Sequence, residues 1–456
     1  LFDDLDNQLD GWLIKSENYQ ALNTILPKFK EKVQTIYIDP PFNKEQDADY
    51  LYNVKYKDST WITLLENRLK LAKDLLKDTG SIFVRCDYNG NWLVRPLMSE
   101  VFGKENFQAE IILRRDTKPA KYIGNETESL FFYSRTENLI FNKDILKKEV
   151  RDYVEFHSPG EPSNKENAYI LINGEKYYPP KGRHWSISKE KIYELLRAGE
   201  IKLKEKNYVD ILGKVNKFIP VRLENEYSLL TNNWTDIHGY GKITDDMLNN
   251  YFQTENSEIL LKRVIESTSN EGDLVMDFFL GSGTTTAVAH KLKRKWIGIE
   301  MGEHFNSVVL PRMKKVLAYD KSGISKEKDV KEKYNENNAG GFFKYYELEQ
   351  YEEILRKAKY LEPKEQKNLF AKDFNYIFYT DPKMLDAIEL DYENNKIKVD
   401  LTKIYPEKQI DIAETLSNLK GKWIKRINEN EVEFEDGEKI RFENIDWKLI
   451  KSLIWW

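Results

Sequence analysis

One stretch narrows the possible folds more than any other. Leu274-Val-Met-Asp-Phe-Phe279 is an apolar run interrupted only by Asp277, and it passes through Gly281-Ser282-Gly283 into a helical pattern that starts at Thr284. A short apolar run bounded by turn residues reads as a strand buried on both faces, the habit of a parallel sheet covered by helices. Trp296-Ile-Gly-Ile-Glu300 supplies the next strand, and Asn256 to Thr268 reads as the helix before the first one. The same alternation occurs near the other end of the chain. Asn18 to Leu26 is an amphipathic helix that Pro27 is expected to end, and Val33-Gln-Thr-Ile-Tyr-Ile38 is a β-rich run. That strand stops at Asp39-Pro40-Pro41-Phe42, because two prolines cannot continue a ladder. A helix from about Thr60 to Lys77, closed by Gly80 as a C-cap, leads to the strand Ser81–Cys86. The expected fold is α/β, a doubly wound Rossmann-like sheet built from two sequence-distant halves.

Between the halves, residues 116–250 carry mixed charge, scattered Gly, Pro, Asn and Tyr, and only short periodic segments, which predicts an inserted domain. The expected organisation is therefore 1–115 and 251–341 as the two halves of the sheet domain, 116–250 as the insert, and 342–456 as a small C-terminal α+β domain. In the last part Phe342 to Lys359 reads as a helix, and Ile397–Leu401 and Glu431–Glu435 read as strands with a turn at Asp436-Gly437. The net charge of −5 belongs to the tail, since residues 346–456 hold 24 Asp+Glu against 19 Lys+Arg. The rest of the chain is balanced and can still present a local basic face to nucleic acid. A single cysteine, Cys86, excludes internal disulfides and multi-cysteine zinc sites, and the five histidines have no metal-ligand spacing, so no metal is expected. No apolar run reaches the roughly 18 residues that span a bilayer, and the acidic start lacks a leader's basic and apolar regions. These features predict a cytoplasmic protein with no membrane association; a first residue that is not Met is what a fragment of a longer chain would show.

Two motifs carry chemistry. Asp277-Phe278-Phe279-Leu280-Gly281-Ser282-Gly283-Thr284 places a Gly-x-Gly turn between strand and helix, where helix N–H groups face a ligand and the backbone can approach it closely. Glu300 ends the next strand, about 20 residues on, at the place of an acid that holds ribose hydroxyls. A dinucleotide fingerprint wants a third glycine, where this chain has Thr286, and there is no P-loop Gly-Lys-Ser/Thr. The turn therefore fits a ligand with ribose and adenine but no pyrophosphate, and S-adenosylmethionine is such a ligand. The plain alternative is a turn that only joins strand to helix.

The second motif is Asp39-Pro40-Pro41-Phe42, at the carboxyl end of its strand, where open α/β sheets place their sites. The exocyclic amine of adenine is a poor nucleophile because its lone pair is delocalised into the ring. A carboxylate accepting one N–H and the Pro40 carbonyl accepting the other would draw the nitrogen toward a tetrahedral geometry and free the lone pair for in-line attack on a sulfonium methyl. The prolines hold these acceptors in place beforehand, and Phe42 offers a face for a base taken out of a duplex. The plain alternative is a strand-ending turn with a buried Phe.

Taken together, these segments resemble the adenine-N6 DNA methyltransferases of bacterial restriction-modification systems, over about residues 11–135 and 225–310. Asp39-Pro-Pro-Phe precedes the glycine turn, which is the order of the family's β class, with a target-recognition domain between the halves. Trp12-Leu-Ile-Lys-Ser-Glu17-Asn18, Gly80–Asp87, Glu100–Phe107 and Asn256–Glu271 are similar to further family segments, and Phe342–Leu348 with a C-terminal domain is similar to type III modification subunits. The resemblance implies Asp39, Pro40, Pro41 and Phe42 as catalytic residues. It implies Glu17, Asn18, Asp277, Phe278, Phe279, Gly281, Ser282, Gly283, Thr284, Glu300, Thr254 and Asn256 around S-adenosylmethionine. It also implies duplex DNA as substrate, a bacterial cytoplasm, and a restriction subunit or second methyltransferase protomer as partner through the C-terminal domain. The chain departs from the family pattern at Glu17, where Asp is usual, at Thr254-Glu255-Asn256-Ser257, where Thr-x-Lys-Pro is usual, and at Asp87-Tyr88, where a double acid is usual. Arg114, Arg115, Lys118, Lys121 and Tyr122 form a basic, aromatic-flanked cluster suited to phosphates or simply to water. His238 and Tyr240 sit near the domain junction and suit DNA contact or a structural turn. Cys86 follows Arg85 rather than Pro, so it reads as a sheet residue and not as a cytosine-C5 nucleophile. Cytosine-N4 transfer, or a non-catalytic recognition subunit with the same fold, are the competing readings.

Overall fold

The computed structural model describes residues 3–41, 58–115, 123–143, 147–149, 153–223, 227–229, 231–238, 240–241, 255–348, 388–391, 396–399, 411–446 and 449. The chain forms two compact units, Leu1–Asn142 with Asn232–Trp456, and Lys143–Thr231.

The first unit is organised by a nine-stranded sheet. Its strands in chain order are β1 (Gly11–Lys15), β2 (Val33–Ile38), β3 (Leu76–Cys86), β4 (Phe107–Arg114), β5 (Thr127–Ser134), β6 (Asn233–His238), β7 (Leu274–Asp277), β8 (Lys295–Glu300) and β9 (Phe343–Glu347). In space they run β6-β4-β5-β3-β2-β7-β8-β1-β9. All are parallel except β5, which is antiparallel to both β3 and β4. The helices that matter below are α1 (Asn18–Phe29), α2 (Asp58–Leu75), α3 (Glu258–Thr268), α4 (Thr284–Lys291), α5 (Leu310–Leu317) and α6 (Ile412–Lys420).

The central strands are buried on both faces, every residue of β2 and β7 included. Their few polar side chains are satisfied inside the protein. Gln34 donates to the carbonyls of Thr79 and Thr268, and Thr35 bonds Thr268, as buried polar groups must. Helix α2 covers the sheet with Trp61, Leu65, Leu69, Ala72 and Leu75, spaced three or four apart on one stripe. The chain leaves β2 toward β3 and leaves β7 toward β8, on opposite sides. The carboxyl ends of β2 and β7, which pair through Ile36 and Met276, therefore flank a topological switch point.

Several expectations are revised. Helix α1 continues through Pro27 to Phe29; a proline in the last turn forfeits one backbone bond without ending the helix. Gly80 lies inside β3 rather than capping a helix, because α2 stops at Leu75. Residues 343–347 are not helical: they form edge strand β9, parallel to β1 in the register Gly11↔Phe343 to Lys15↔Glu347. The segment after 342 thus begins inside the main sheet. Strands β5 and β6 also belong to that sheet, so the separate unit at 143–231 is narrower than the 116–250 insert expected from composition.

The C-terminal residues 411–446 pack on the same unit. Helix α6 and the strands Ile424–Ile427, Glu431–Phe434 and Lys439–Arg441 enclose Ala413, Leu416, Ile424, Val432, Phe434 and Ile445. Trp423 meets both Trp12 and Phe29 at 5.8 Å between ring centres. Beside it, four charges are interlocked. Lys28 Nζ lies 2.9 Å from Asp6 and 2.9 Å from Glu414, and Lys344 Nζ lies 2.7 Å from each.

The second unit is built from short antiparallel strands around one long pair, Ile201–Val209 with Val215–Leu223, and the helix Lys189–Arg197, which Ser188 caps. Phe156, Ile170, Ile172, Tyr177, Ile192 and Ile201 form its core.

Candidate active site

The glycine turn after β7 is braced from within. Asp277 is buried; its Oδ1 accepts from Phe279 N at 2.9 Å and its Oδ2 from Thr285 Oγ1 at 2.6 Å. Burial pushes this carboxyl up to about 7, against those two hydrogen bonds. Gly281 and Gly283 have φ of 56° and 87°, left-handed values that suit glycine and turn the chain into α4. Glu300, at the end of the adjacent β8, accepts from Gly281 N at 2.8 Å through Oε2, and from Met301 N and Gly302 N at 2.9 Å through Oε1. A carboxylate offers about four acceptor positions, and backbone N–H groups take three of them on Glu300, which leaves one for a ligand hydroxyl. Ser282 Oγ and Thr284 Oγ1 lie 3.0 Å apart, and Arg312 of α5 donates to both.

The N-terminal half reaches the same turn. Asn18 Nδ2 donates to the Phe278 carbonyl at 2.9 Å, across 260 sequence positions. Glu17 caps α1 by accepting from Gln20 N, and Arg68 of α2 bonds both Glu17 and Asn18. Glu17, Asn18, Phe278, Gly281 and Glu300 therefore surround one turn. The donor set suits a ligand with hydroxyls for Glu300 and an anionic end for the turn and the α4 N-terminus.

Asp39 follows β2 directly, and Trp61 Nε1 holds the Pro41 carbonyl at 2.8 Å. Beneath Asp39 lies a network that motif reading missed. Arg85 of β3 is fully buried; its Nε bonds Glu128 of β5 at 2.8 Å, its Nη1 bonds Asn256 Oδ1, and the same Nη1 lies 3.7 Å from Asp39 Oδ2. Tyr37 OH also donates to Asn256 Oδ1, at 3.0 Å. Arg115 lies 3.3 Å from both Asp87 and Glu128. Burial pushes the Asp39 carboxyl up to about 6; Arg85 and a hydrogen bond from Asn256 oppose this, while Glu128 and Asp87 add to it. Burial likewise raises the Tyr37 hydroxyl and the Cys86 thiol, so Cys86 is an inert sheet residue here.

The structure distributes the remaining expected residues unevenly. Asn256, expected around the cofactor, stands beside Asp39 on Tyr37 and Arg85. Arg115, expected on phosphate, is engaged by two carboxylates of the sheet, whereas Arg114 is exposed at the end of β4. The His238 backbone pairs with Arg114, and that of Tyr240 with Asn256. Phe42, Thr254, Lys118, Lys121 and Tyr122 lie outside the described residues. Among the described residues no group of acidic, His or Cys side chains could hold a metal, and no helix is long and apolar enough to cross a membrane.

The family pattern of N6/N4-type DNA methylases matches residues 33–310, which takes in both motifs. The chain belongs to this DNA methylase family. The chain is 29% identical over 419 residues to the "Probable type III restriction-modification enzyme HindVI Mod subunit" of Haemophilus influenzae, covering 76% of this chain and 55% of that one. It is 26% identical to the type III StyLTI Mod subunit of Salmonella typhimurium, over 60% of this chain and 48% of the other. It is also 26% identical to the type II methyltransferase M.EcaI of Enterobacter cloacae, over 64% and 67%. The chain thus spans about half the length of the type III relatives it matches. Among solved structures, a cytosine-N4-specific PvuII DNA methyltransferase aligns with 73% of this chain and 96% of its own, at 14% identity and a TM-score of 0.41.

Proposed function

We propose that this methylase transfers a methyl group from S-adenosylmethionine to N6 of adenine in duplex DNA, as part of a restriction-modification system. The observation that carries the reading is the pairing of β2 with β7, which sets Asp39-Pro40-Pro41 and the Gly281–Gly283 turn side by side at one switch point. Bound S-adenosylmethionine supplies an electrophilic methyl group. Gly281, Gly283 and the α4 N-terminus receive its carboxylate end, and Glu300 receives a ribose hydroxyl. Asp39, ionised above about pH 6, accepts one N–H of the adenine amine. The Pro40 carbonyl accepts the other; it receives no hydrogen bond from the described residues, whereas the Pro41 carbonyl is held by Trp61. Two acceptors on one amine pull its lone pair out of conjugation, so that the nitrogen would attack the sulfonium methyl as its C–S bond breaks and the neutral thioether leaves. The proton released after transfer leaves through Asp39 to solvent. Phe42 is the proposed stacking face for the flipped base. The unit at residues 143–231 reads the site, and Arg114 contacts phosphate. A restriction subunit or a second copy docks through the C-terminal residues.

The test is to incubate the protein with S-adenosylmethionine and mixed-sequence duplex DNA, digest, and identify nucleosides by mass spectrometry, with Asp39→Ala alongside. N6-methyladenine that disappears in the variant is the expected result. N4-methylcytosine would keep the geometry and overturn the base. No methylated nucleoside despite measured cofactor binding would overturn the catalytic reading.

A further inference from the structure

The network beneath Asp39 is more elaborate than an ion pair between strands requires. Arg85 is the only positive charge that β3 places at this end of the sheet among the described residues, and it is wholly enclosed. Two of its nitrogens go to Glu128. The third points the other way, to Asn256 Oδ1 and toward Asp39. Asn256 Oδ1 thus takes donors from both Arg85 and Tyr37. With its carbonyl held from two sides, the Asn256 amide has only its N–H₂ to offer Asp39, whose ionised form it favours. Other charged or titratable groups around Asp39 come from every neighbouring element: Tyr37 from β2, Glu128 from β5, Asp87 after β3, and Asp277 from β7. Apart from Arg85 these groups are acids or a phenol, and each carboxylate opposes ionisation of Asp39.

We propose that Arg85 is a positioning residue for methyl transfer: through its direct approach and through Asn256 it orients the Asp39 carboxyl and keeps it ionised beside Glu128 and Asp87. This rests on Asp39 acting as the acceptor for the target amine. Arg85 does not touch substrate. Its guanidinium fork is suited to serve Glu128 and Asn256 at once, a geometry that a lysine cannot reproduce.

The test is single-turnover transfer to mixed-sequence duplex DNA from labelled S-adenosylmethionine, followed from pH 5 to 9, for the wild type, Arg85→Gln, Arg85→Lys, and Arg85→Gln with Glu128→Gln. In wild type the rate rises through an acid limb as Asp39 ionises. For Arg85→Gln the limb moves up by about one pH unit, so transfer at pH 6 falls roughly fivefold while the rate at pH 9 stays within about threefold. Arg85→Lys shifts the limb less than Arg85→Gln. The double variant recovers part of the thermal midpoint lost by Arg85→Gln, since the buried Glu128 charge that Arg85→Gln leaves to Arg115 alone is gone, but its limb stays above the wild-type position because the cation facing Asp39 is still missing. A double variant with a wild-type limb would overturn the proposal and leave Arg85 as a counter-ion of Glu128 alone. So would a loss of rate that is equal at every pH. If Arg85→Gln does not fold, the double variant still decides the matter. If the wild type itself methylates nothing, the functional reading fails first, and that outcome is separate from an unshifted limb.

Discussion

Replacing Lys28 with Met strikes the junction between the sheet unit and residues 411–446. The Lys28 ammonium sits fully buried between Asp6 and Glu414, 2.9 Å from each, and Lys344 completes a neutral set of four. At an effective dielectric of about 20, each 2.9 Å pair is worth roughly 6 kcal/mol before desolvation. Removing one partner of such a buried set leaves an uncompensated charge, and the net cost is about 3–5 kcal/mol. Glu414→Gln in the same chain restores neutrality and should return at least about 2 kcal/mol, a coupling expected of residues in contact. Urea unfolding followed by circular dichroism measures both. Burial raises the Asp6 and Glu414 carboxyls, but Lys28 and Lys344 outweigh it and hold both below the ordinary range. Their stabilisation is therefore complete above about pH 4.5 and is lost as pH falls through the depressed values. Lys28→Met should flatten that acid dependence as well. A loss below about 1 kcal/mol, or a double variant no more stable than the single, would refute this account of the junction.

Four further outcomes are expected. Gly283→Ala forces a φ of 87° on a residue with a Cβ, which should cost roughly 1–2 kcal/mol and weaken S-adenosylmethionine binding by calorimetry. Asp277→Asn keeps an acceptor for Phe279 N; because the Asp277 carboxyl is raised to about 7, wild-type stability should fall as pH rises from 4 to 7, and the variant should show a flatter slope in the same titration. Ending the chain at residue 410 removes Trp423 from Trp12 and Phe29 and strips Glu414 from Lys28, so cofactor binding should be lost along with solubility; a soluble, binding-competent truncation would contradict the packing. Arg114→Ala should weaken DNA binding similarly on all sequences and lower the salt slope by about one in a filter-binding series.

What could be read from the sequence follows from how local each signal is. Strands β2 and β7 are buried on both faces, so their apolar runs stand out without knowledge of any partner. Asp39-Pro-Pro and Gly-Ser-Gly carry their own backbone restrictions, and the structure sets both at the switch point that strand order implies. Strand β9 was hidden because Phe343-Lys-Tyr-Tyr-Glu is a half-covered edge strand whose short pattern also suits a helix; only its pairing with β1, more than 300 positions away, decides. Arg85 was illegible for the same reason. Its partners Glu128 and Asn256 come from other strands, so no local pattern marks it. Arg115 looked like a phosphate ligand because four neighbouring residues are basic or aromatic, while the carboxylates that engage it, Asp87 and Glu128, are distant in sequence.

The place of β1 has a consequence for how the chain comes to be folded. β1 leaves the ribosome long before either of its neighbours: β8 starts at Lys295 and β9 at Phe343. Strand β2 waits for β7 on one side in the same way. At roughly 5–20 residues per second, Gly11–Lys15 stays without a ladder partner for about fifteen seconds to a minute. During that time Trp12, Leu13 and Ile14, all fully buried in the finished protein, have nothing to pair with. Half the sheet can assemble from β2 to β5 while synthesis continues, but the half that forms the cofactor turn closes last, around a strand made long before it. A nascent chain arrested before residue 295 should therefore hold a protected β3–β5 antiparallel core and an N-terminus open to proteases.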